Sequence, residues 1–156
     1  MGSLYFFKFL HYLGIILLAG NITVTAVWKV FADRNGDWRI VQFGQRLVTG
    51  TDFGLTIPGI ILTMAGGYGS LFVMGYSMHE PAWLLWSQIW FVVAGMIWLF
   101  ILVPIQIRQA RLANAFTSQD GVTQEYRRLS RRWITWGLTS TIPLVIVLWL
   151  MVAKPL

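Results

Sequence analysis

Four long apolar segments dominate this chain, and each is long enough to cross a lipid bilayer. They lie at about residues 5–30, 54–76, 82–106 and 133–153. A helix needs roughly 20 predominantly apolar residues to span the hydrocarbon core. Backbone polar groups find no water inside a bilayer, so a segment of this length satisfies them by forming a helix. The sequence therefore predicts an all-α integral membrane four-helix bundle, with residues 1–156 forming a single membrane domain.

Composition supports a membrane protein and excludes several other classes. Charged residues make up 12% of the chain, against about 25% in an ordinary soluble domain. The net charge of +6 comes from residues in the connectors between apolar segments, so nucleic acid is not an expected partner. The chain has no cysteine, which excludes disulfides, thiolate catalysis and cysteine-ligated metal centres. The expected surroundings are a lipid bilayer.

The distribution of basic residues predicts the orientation in the membrane. Counting Lys29 at the end of the first apolar segment, lysine and arginine occur four times at the first connector, not at all in the second, and six times in the third. Connectors rich in these residues usually remain in the cytoplasm. We therefore expect both termini on the periplasmic or outer side of a bacterial inner membrane.

The first connector also contains a helical pattern, at about residues 37–49. Its apolar residues recur on one face, and Asp37 precedes it as a candidate N-cap. This pattern predicts a short helix that lies on the membrane surface. Thr51 and Asp52 are then expected to cap the start of the second spanning helix.

Two helical faces consist of small and polar residues. On the first segment the face carries His11, Gly14, Leu18, Asn21 and Thr25. On the second it carries Thr56, Gly59, Thr63, Gly66 and Ser70. Small and hydroxyl side chains let membrane helices approach closely, so these faces predict a packing seam. Glycines can instead leave room for a flat cofactor, and both interpretations remain open.

His11 is the only histidine expected inside a membrane helix. An ionisable side chain in hydrocarbon is costly and by default marks a functional site. His79 lies in the SMHEPAW connector, on the same side of the membrane as His11 by topology. Histidines are axial ligands of haem iron. We therefore hypothesise that His11 and His79 bind the metal of haem b, and that Gly14, Thr63 and Gly66 shape its pocket. The alternatives are a packed, hydrogen-bonded His11 and an exposed loop histidine at 79.

Several local patterns together resemble a known family. They are KFLHYLG, DRNGD, GTDFGLTIPG, IQIRQARLA, EYRRLSRRW and LMVAKP. In this order, and over nearly the whole chain, they resemble a bacterial family of predicted integral membrane proteins of unassigned function. More distantly, the first helix resembles the copper-resistance D membrane proteins and the haem-binding, J-type protoporphyrinogen oxidases. The latter resemblance implies a haem-binding role for His11 alone. Other polar and basic positions of the oxidases are not matched, so their reaction is not implied.

Two functions of different classes remain as hypotheses. The first is a membrane haem b protein with a redox role in electron transfer, for which a quinone is a candidate partner. The second is a non-enzymatic accessory subunit that packs against a larger respiratory or photosynthetic complex, and a homodimer is compatible with either. The chain carries no nucleotide-binding, zinc-protease or hydrolase motif. Whether it is an enzyme is left undecided by the sequence.

Overall fold

The computed structural model describes residues 2–155 and contains four long helices. They are α1 (Gly2–Asn35), α2 (Trp38–Met74), α3 (Ala82–Asn114) and α4 (Gln124–Ala153). Each is long and apolar enough to cross a membrane, and residues 2–155 contain no strand. This confirms the prediction of an all-α, four-helix membrane protein. The side on which the termini lie stays a prediction.

Helix α2 differs from the expectation, because no break separates the predicted surface helix from the second spanning helix. Asp37 caps its start as predicted: the carboxylate accepts a hydrogen bond of 2.8 Å from the backbone N–H of Arg39. The expected second start at Thr51 and Asp52 is wrong. The Thr51 hydroxyl donates to the carbonyl oxygen of Leu47 at 2.8 Å, one turn earlier, instead of capping a new helix.

Two helices contain a short π-helical segment, and each segment precedes a proline. The segments are Asp52–Thr56 in α2 and Trp98–Leu102 in α3. The prolines are Pro58 and Pro104. A proline ring clashes with the carbonyl four residues earlier, which in both cases lies inside the π-helical segment. Local widening of the helix relieves this clash and keeps both spans continuous.

The helices form two hairpins that lie together at only one end. Hairpin one is α1 packed along α2, and hairpin two is α3 packed along α4. The hairpins approach each other between α1 and α4, and between Trp38–Thr51 and Val103–Asn114. Within residues 2–155, the segment Ile57–Met74 has no Cα neighbour in hairpin two within 8 Å. We call the end of the molecule with the first and third connectors the basic end. The hairpins pack against each other there, and a cleft separates them toward the opposite end.

Two apolar clusters join the hairpins near the basic end. The first contains Val41, Ala113, Phe116 and Tyr126, and the second contains Val48, Leu102 and Trp133. The N-terminal part of α2 supplies Val41 and Val48 to these clusters, and neither has measurable exposure. This burial explains why residues 38–51 pack against hairpin two instead of forming a separate surface helix.

Candidate functional site

The small-residue faces of α1 and α2 form a direct packing seam. A Cβ on Gly14 would overlap the backbone nitrogen of Thr63, and one on Gly66 would lie 2.6 Å from the carbonyl oxygen of Phe7. The prediction that these faces pack together is therefore confirmed. The backbones are in contact at Gly14, Thr63 and Gly66, so no gap remains between the two helices there.

His11 lies at this seam with one ring nitrogen bonded. Its Nδ1 is 2.7 Å from the carbonyl oxygen of Thr63. A carbonyl oxygen only accepts hydrogen bonds, so Nδ1 carries the proton and donates. In the neutral ring, Nε2 then holds the free lone pair. The imidazole covers Gly67, where a Cβ would lie 3.2 Å from Nδ1. No residue between 2 and 155 forms a hydrogen bond with Nε2.

His79 lies in the exposed connector between α2 and α3. Its backbone N–H donates to the Ser77 hydroxyl at 3.2 Å. Gly66, beside His11, precedes the helix-ending Gly75 by nine residues, a rise of about 13 Å. His11 therefore belongs to the packed seam and His79 to the exposed connector, and no hydrogen bond joins the two histidines within residues 2–155. The described residues contain no cluster of three or more His, Asp or Glu side chains that could hold a metal ion.

A second candidate site, which the sequence reasoning missed, is the cleft between the hairpins. It forms a half-open cavity of about 440 Å³ with walls from all four helices. The walls are mainly apolar, and the polar lining residues are Asp52, Thr56, Gln106, Ser140 and Thr141. Both π-helical segments supply lining residues: Asp52 and Thr56 from one, Trp98 and Leu102 from the other.

Asp52 is the centre of a polar cluster at this cavity. Its Oδ1 accepts hydrogen bonds from Asn21 Nδ2 and from the Thr56 hydroxyl, both at 3.0 Å. The Asn21 amide also lies 2.8 Å from the Thr56 hydroxyl oxygen. The side chains of Gln106 and Trp98 approach the same carboxyl group. The sequence analysis predicted Asp52 to be a helix cap and therefore missed this cluster. The signal that could have indicated it is Asn21, whose position on the packing face calls for a polar partner inside the bundle.

A buried ionic network at the basic end also escaped the sequence analysis. Lys29 has no measurable exposure, and its Nζ donates to Asp33 at 2.6 Å and to the Tyr126 hydroxyl at 2.8 Å. The Tyr126 hydroxyl is 3.1 Å from Gln45 Oε1, and the Ser130 hydroxyl donates to Asp33. This network links α1, α2 and α4. Its only signal in the sequence is the spacing of Lys29 and Asp33, which places them one helical turn apart.

Comparison with known families agrees with this architecture. The chain matches the family model described as "Predicted integral membrane protein (DUF2269)" over residues 5–155. It belongs to this family. The match confirms the resemblance to a membrane protein family of unassigned function, and it covers parts of all four spans of this DUF2269 protein. No curated protein and no solved structure matches the chain.

Proposed function

We propose that this multi-pass protein binds haem b in a bacterial inner membrane and has a redox role in electron transfer. His11 supplies an axial ligand. The observation that supports this assignment is the bond from His11 Nδ1 to the carbonyl oxygen of Thr63. A ligating histidine usually donates its other ring N–H to a carbonyl or carboxylate, which fixes the tautomer and the ring orientation. The imidazole of His11 is held in that tautomer.

The seam itself does not fit a macrocycle, because α1 and α2 are in backbone contact at Gly14 and Gly66. A haem held by His11 would therefore lie outside the seam. Segment Ile57–Met74 has no backbone neighbour from hairpin two, which leaves the outer surface of hairpin one open. The bound haem would supply a one-electron carrier, and the protein would hold its iron and exclude water.

His79 is the second candidate metal ligand within the chain. Its connector lies beyond the end of α2, so a second copy of the chain or a larger membrane complex is another source of the sixth ligand. The His11 assignment does not depend on which of these supplies it. Spectra of a His79→Ala variant separate the two cases, because loss of an internal ligand shifts the bands of the bound haem.

The test is an absorption spectrum of protein purified in detergent from cells supplied with ample haem. We expect a Soret band in the oxidised protein, sharp bands after reduction with dithionite, and loss of both in His11→Gln. Glutamine retains an N–H donor for the Thr63 carbonyl but has no imidazole nitrogen, so the variant separates ligation from packing. A colourless wild-type protein, or an unchanged Soret band in His11→Gln, would contradict the assignment.

An accessory role in a larger respiratory or photosynthetic complex is the second candidate function. The observation that favours it is the outer face of Ile57–Met74, where Phe72 is 88% exposed and hairpin two does not cover it. Exposed apolar side chains in a membrane contact either lipid or another helix. Co-purification of a larger assembly with wild-type protein, and its loss in Phe72→Ser, would support this role.

A further inference from the structure

We propose that the cleft between the two hairpins binds an uncharged, lipid-soluble hydroquinone, whose ring hydroxyls donate hydrogen bonds to the Asp52 cluster. The cleft is separate from His11, and its nearest lining residue on α1 is Leu18, seven residues farther along the helix. This ligand site does not depend on haem binding.

The cavity has the size and walls of a small-molecule site. Its volume of about 440 Å³ lies within the range of about 300–1,000 Å³ that is common for ligand pockets. Four aromatic side chains stand among its mainly apolar lining: Phe31, Phe91, Trp98 and Trp133. Such side chains pack well against a flat ring. The walls therefore suit an aromatic head with part of a hydrocarbon tail.

Buried polar atoms of both kinds lack partners at or beside the cavity. Gln106 lines the cavity and is only 5% exposed, yet its Oε1 is buried without a partner among residues 2–155. The Oδ1 of Asn21, which does not line the cavity but is bonded to Asp52 through its amide nitrogen, is also buried without a partner. The Nε1–H of Trp133, a lining residue, is a buried donor without an acceptor among the same residues. Unpaired buried groups are costly, and a hydroquinone hydroxyl both donates and accepts, whereas the oxidised quinone only accepts.

The depth of the cluster favours an uncharged head over a phospholipid headgroup. Asn21, bonded to Asp52, precedes Lys29 by eight residues of α1, a distance of about 12 Å along the helix. A phosphate group at that depth would leave the interfacial region and enter hydrocarbon beside the Asp52 carboxyl group, which is costly for an anion. A neutral ring carries no such penalty.

The two π-helical segments contribute to the shape of the cavity. Both face it, one through Asp52 and Thr56 and the other through Trp98 and Leu102. Pro58 and Pro104 account for the widening of the helices at these points. π-Helical bulges occur frequently at functional sites, so their position at the cleft is consistent with a binding site there.

Cavity-filling variants can test the site without disturbing the seam. Gly137 lines the cavity, and a Cβ built on it meets no atom within 4 Å. Gly137→Leu therefore fills the cleft without overlapping the backbone. The matched control is Gly20→Leu, because Gly20 also has open space around it but does not line the cavity. Asp52→Asn retains the shape of the side chain and removes its charge.

The measurement is an anaerobic titration of protein in lipid nanodiscs with a short-tailed benzohydroquinone and, separately, with its benzoquinone. Empty nanodiscs give the background, and bound ligand is quantified after gel filtration. We expect saturable binding, with the hydroquinone bound at least about tenfold more tightly than the quinone. Binding should be lost in Gly137→Leu, weakened about tenfold in Asp52→Asn, and unchanged in Gly20→Leu and His11→Gln.

Four results would overturn the assignment. They are no binding above that of empty discs, equal binding of both oxidation states, wild-type binding by Gly137→Leu, and a co-purified phospholipid that hydroquinone does not displace. If Asp52→Asn fails to fold, comparison of Gly137→Leu with Gly20→Leu still shows whether the hydroquinone binds in the cleft. Retained binding in His11→Gln, whatever its absorption spectrum, distinguishes this site from the haem site.

Discussion

The Nζ of Lys29 donates a hydrogen bond of 2.8 Å to the hydroxyl of Tyr126, which is 97 residues away in the sequence. The same ammonium group pairs with Asp33 at 2.6 Å, and it lies 4.8 Å from the centre of the Tyr126 ring. These contacts attach α1 of hairpin one to α4 of hairpin two. Since the hairpins approach each other at the basic end, the network lies where it has most influence on their relative position.

Lys29→Met is expected to lower the free energy of unfolding by about 3 kcal/mol, because Asp33 would remain in the network without its cation. Thermal unfolding in detergent, followed by circular dichroism, measures the loss. Arg108→Met is the control: Arg108 and Glu125 form an ion pair whose side chains are 63% and 40% exposed, and such pairs contribute about 1 kcal/mol or less. Equal losses of unfolding free energy in the two variants would show that the Lys29 network stabilises the protein no more than an exposed ion pair does.

Gly66→Ala is expected to destabilise the protein by about 2 kcal/mol, because the new methyl group would overlap backbone atoms of His11 and Phe7. The atoms that the methyl group would meet belong to the backbone of α1, so no side-chain rotation can relieve the overlap. In Gly20→Ala the added methyl group meets open space, so it should stabilise α1 by up to about 1 kcal/mol through helix propensity. Thermal unfolding of both variants tests the seam, and a neutral Gly66→Ala would contradict it.

The orientation can be tested directly because the chain has no cysteine. Ser77→Cys places a thiol in the exposed second connector, and Ser118→Cys places one in the exposed third connector. We expect a membrane-impermeant maleimide to label Ser77→Cys in intact spheroplasts, and to label Ser118→Cys only after the membrane is opened. The reverse pattern would place both termini in the cytoplasm.

Apolar length and small-residue spacing were enough to predict the four spans and the seam between α1 and α2. Both are local properties, since a helix satisfies its own backbone and glycines mark where another helix can approach. The Asp52 cluster could not be predicted in this way. Threonine and aspartate favour helix starts, but α2 runs without a break through residue 52, and its N-terminal part packs against hairpin two through Val41 and Val48.

The interior position of Lys29 and the separation of the hairpins were also beyond the sequence. A helical face is defined only relative to its own residues, so its pattern does not say which helix will cover it. Lys29 belongs to the first apolar segment and would ordinarily be assigned to the lipid headgroups. Its burial depends on Tyr126, Gln45 and Ser130 meeting it from two other helices.

The hairpins pack against each other at the basic end and, within the part of the chain that the structure describes, are joined at the opposite end only by the exposed connector 75–81, so a tilt between them would pivot about the basic end. Over a hydrocarbon thickness of about 30 Å, a tilt of only about 5° moves the far ends apart by roughly 3 Å. A swing of that size would widen or narrow the mouth through which a lipid-soluble molecule enters. The side chains that pack around Lys29 would thereby influence the rate of ligand entry at the mouth of the cleft, although they do not line it.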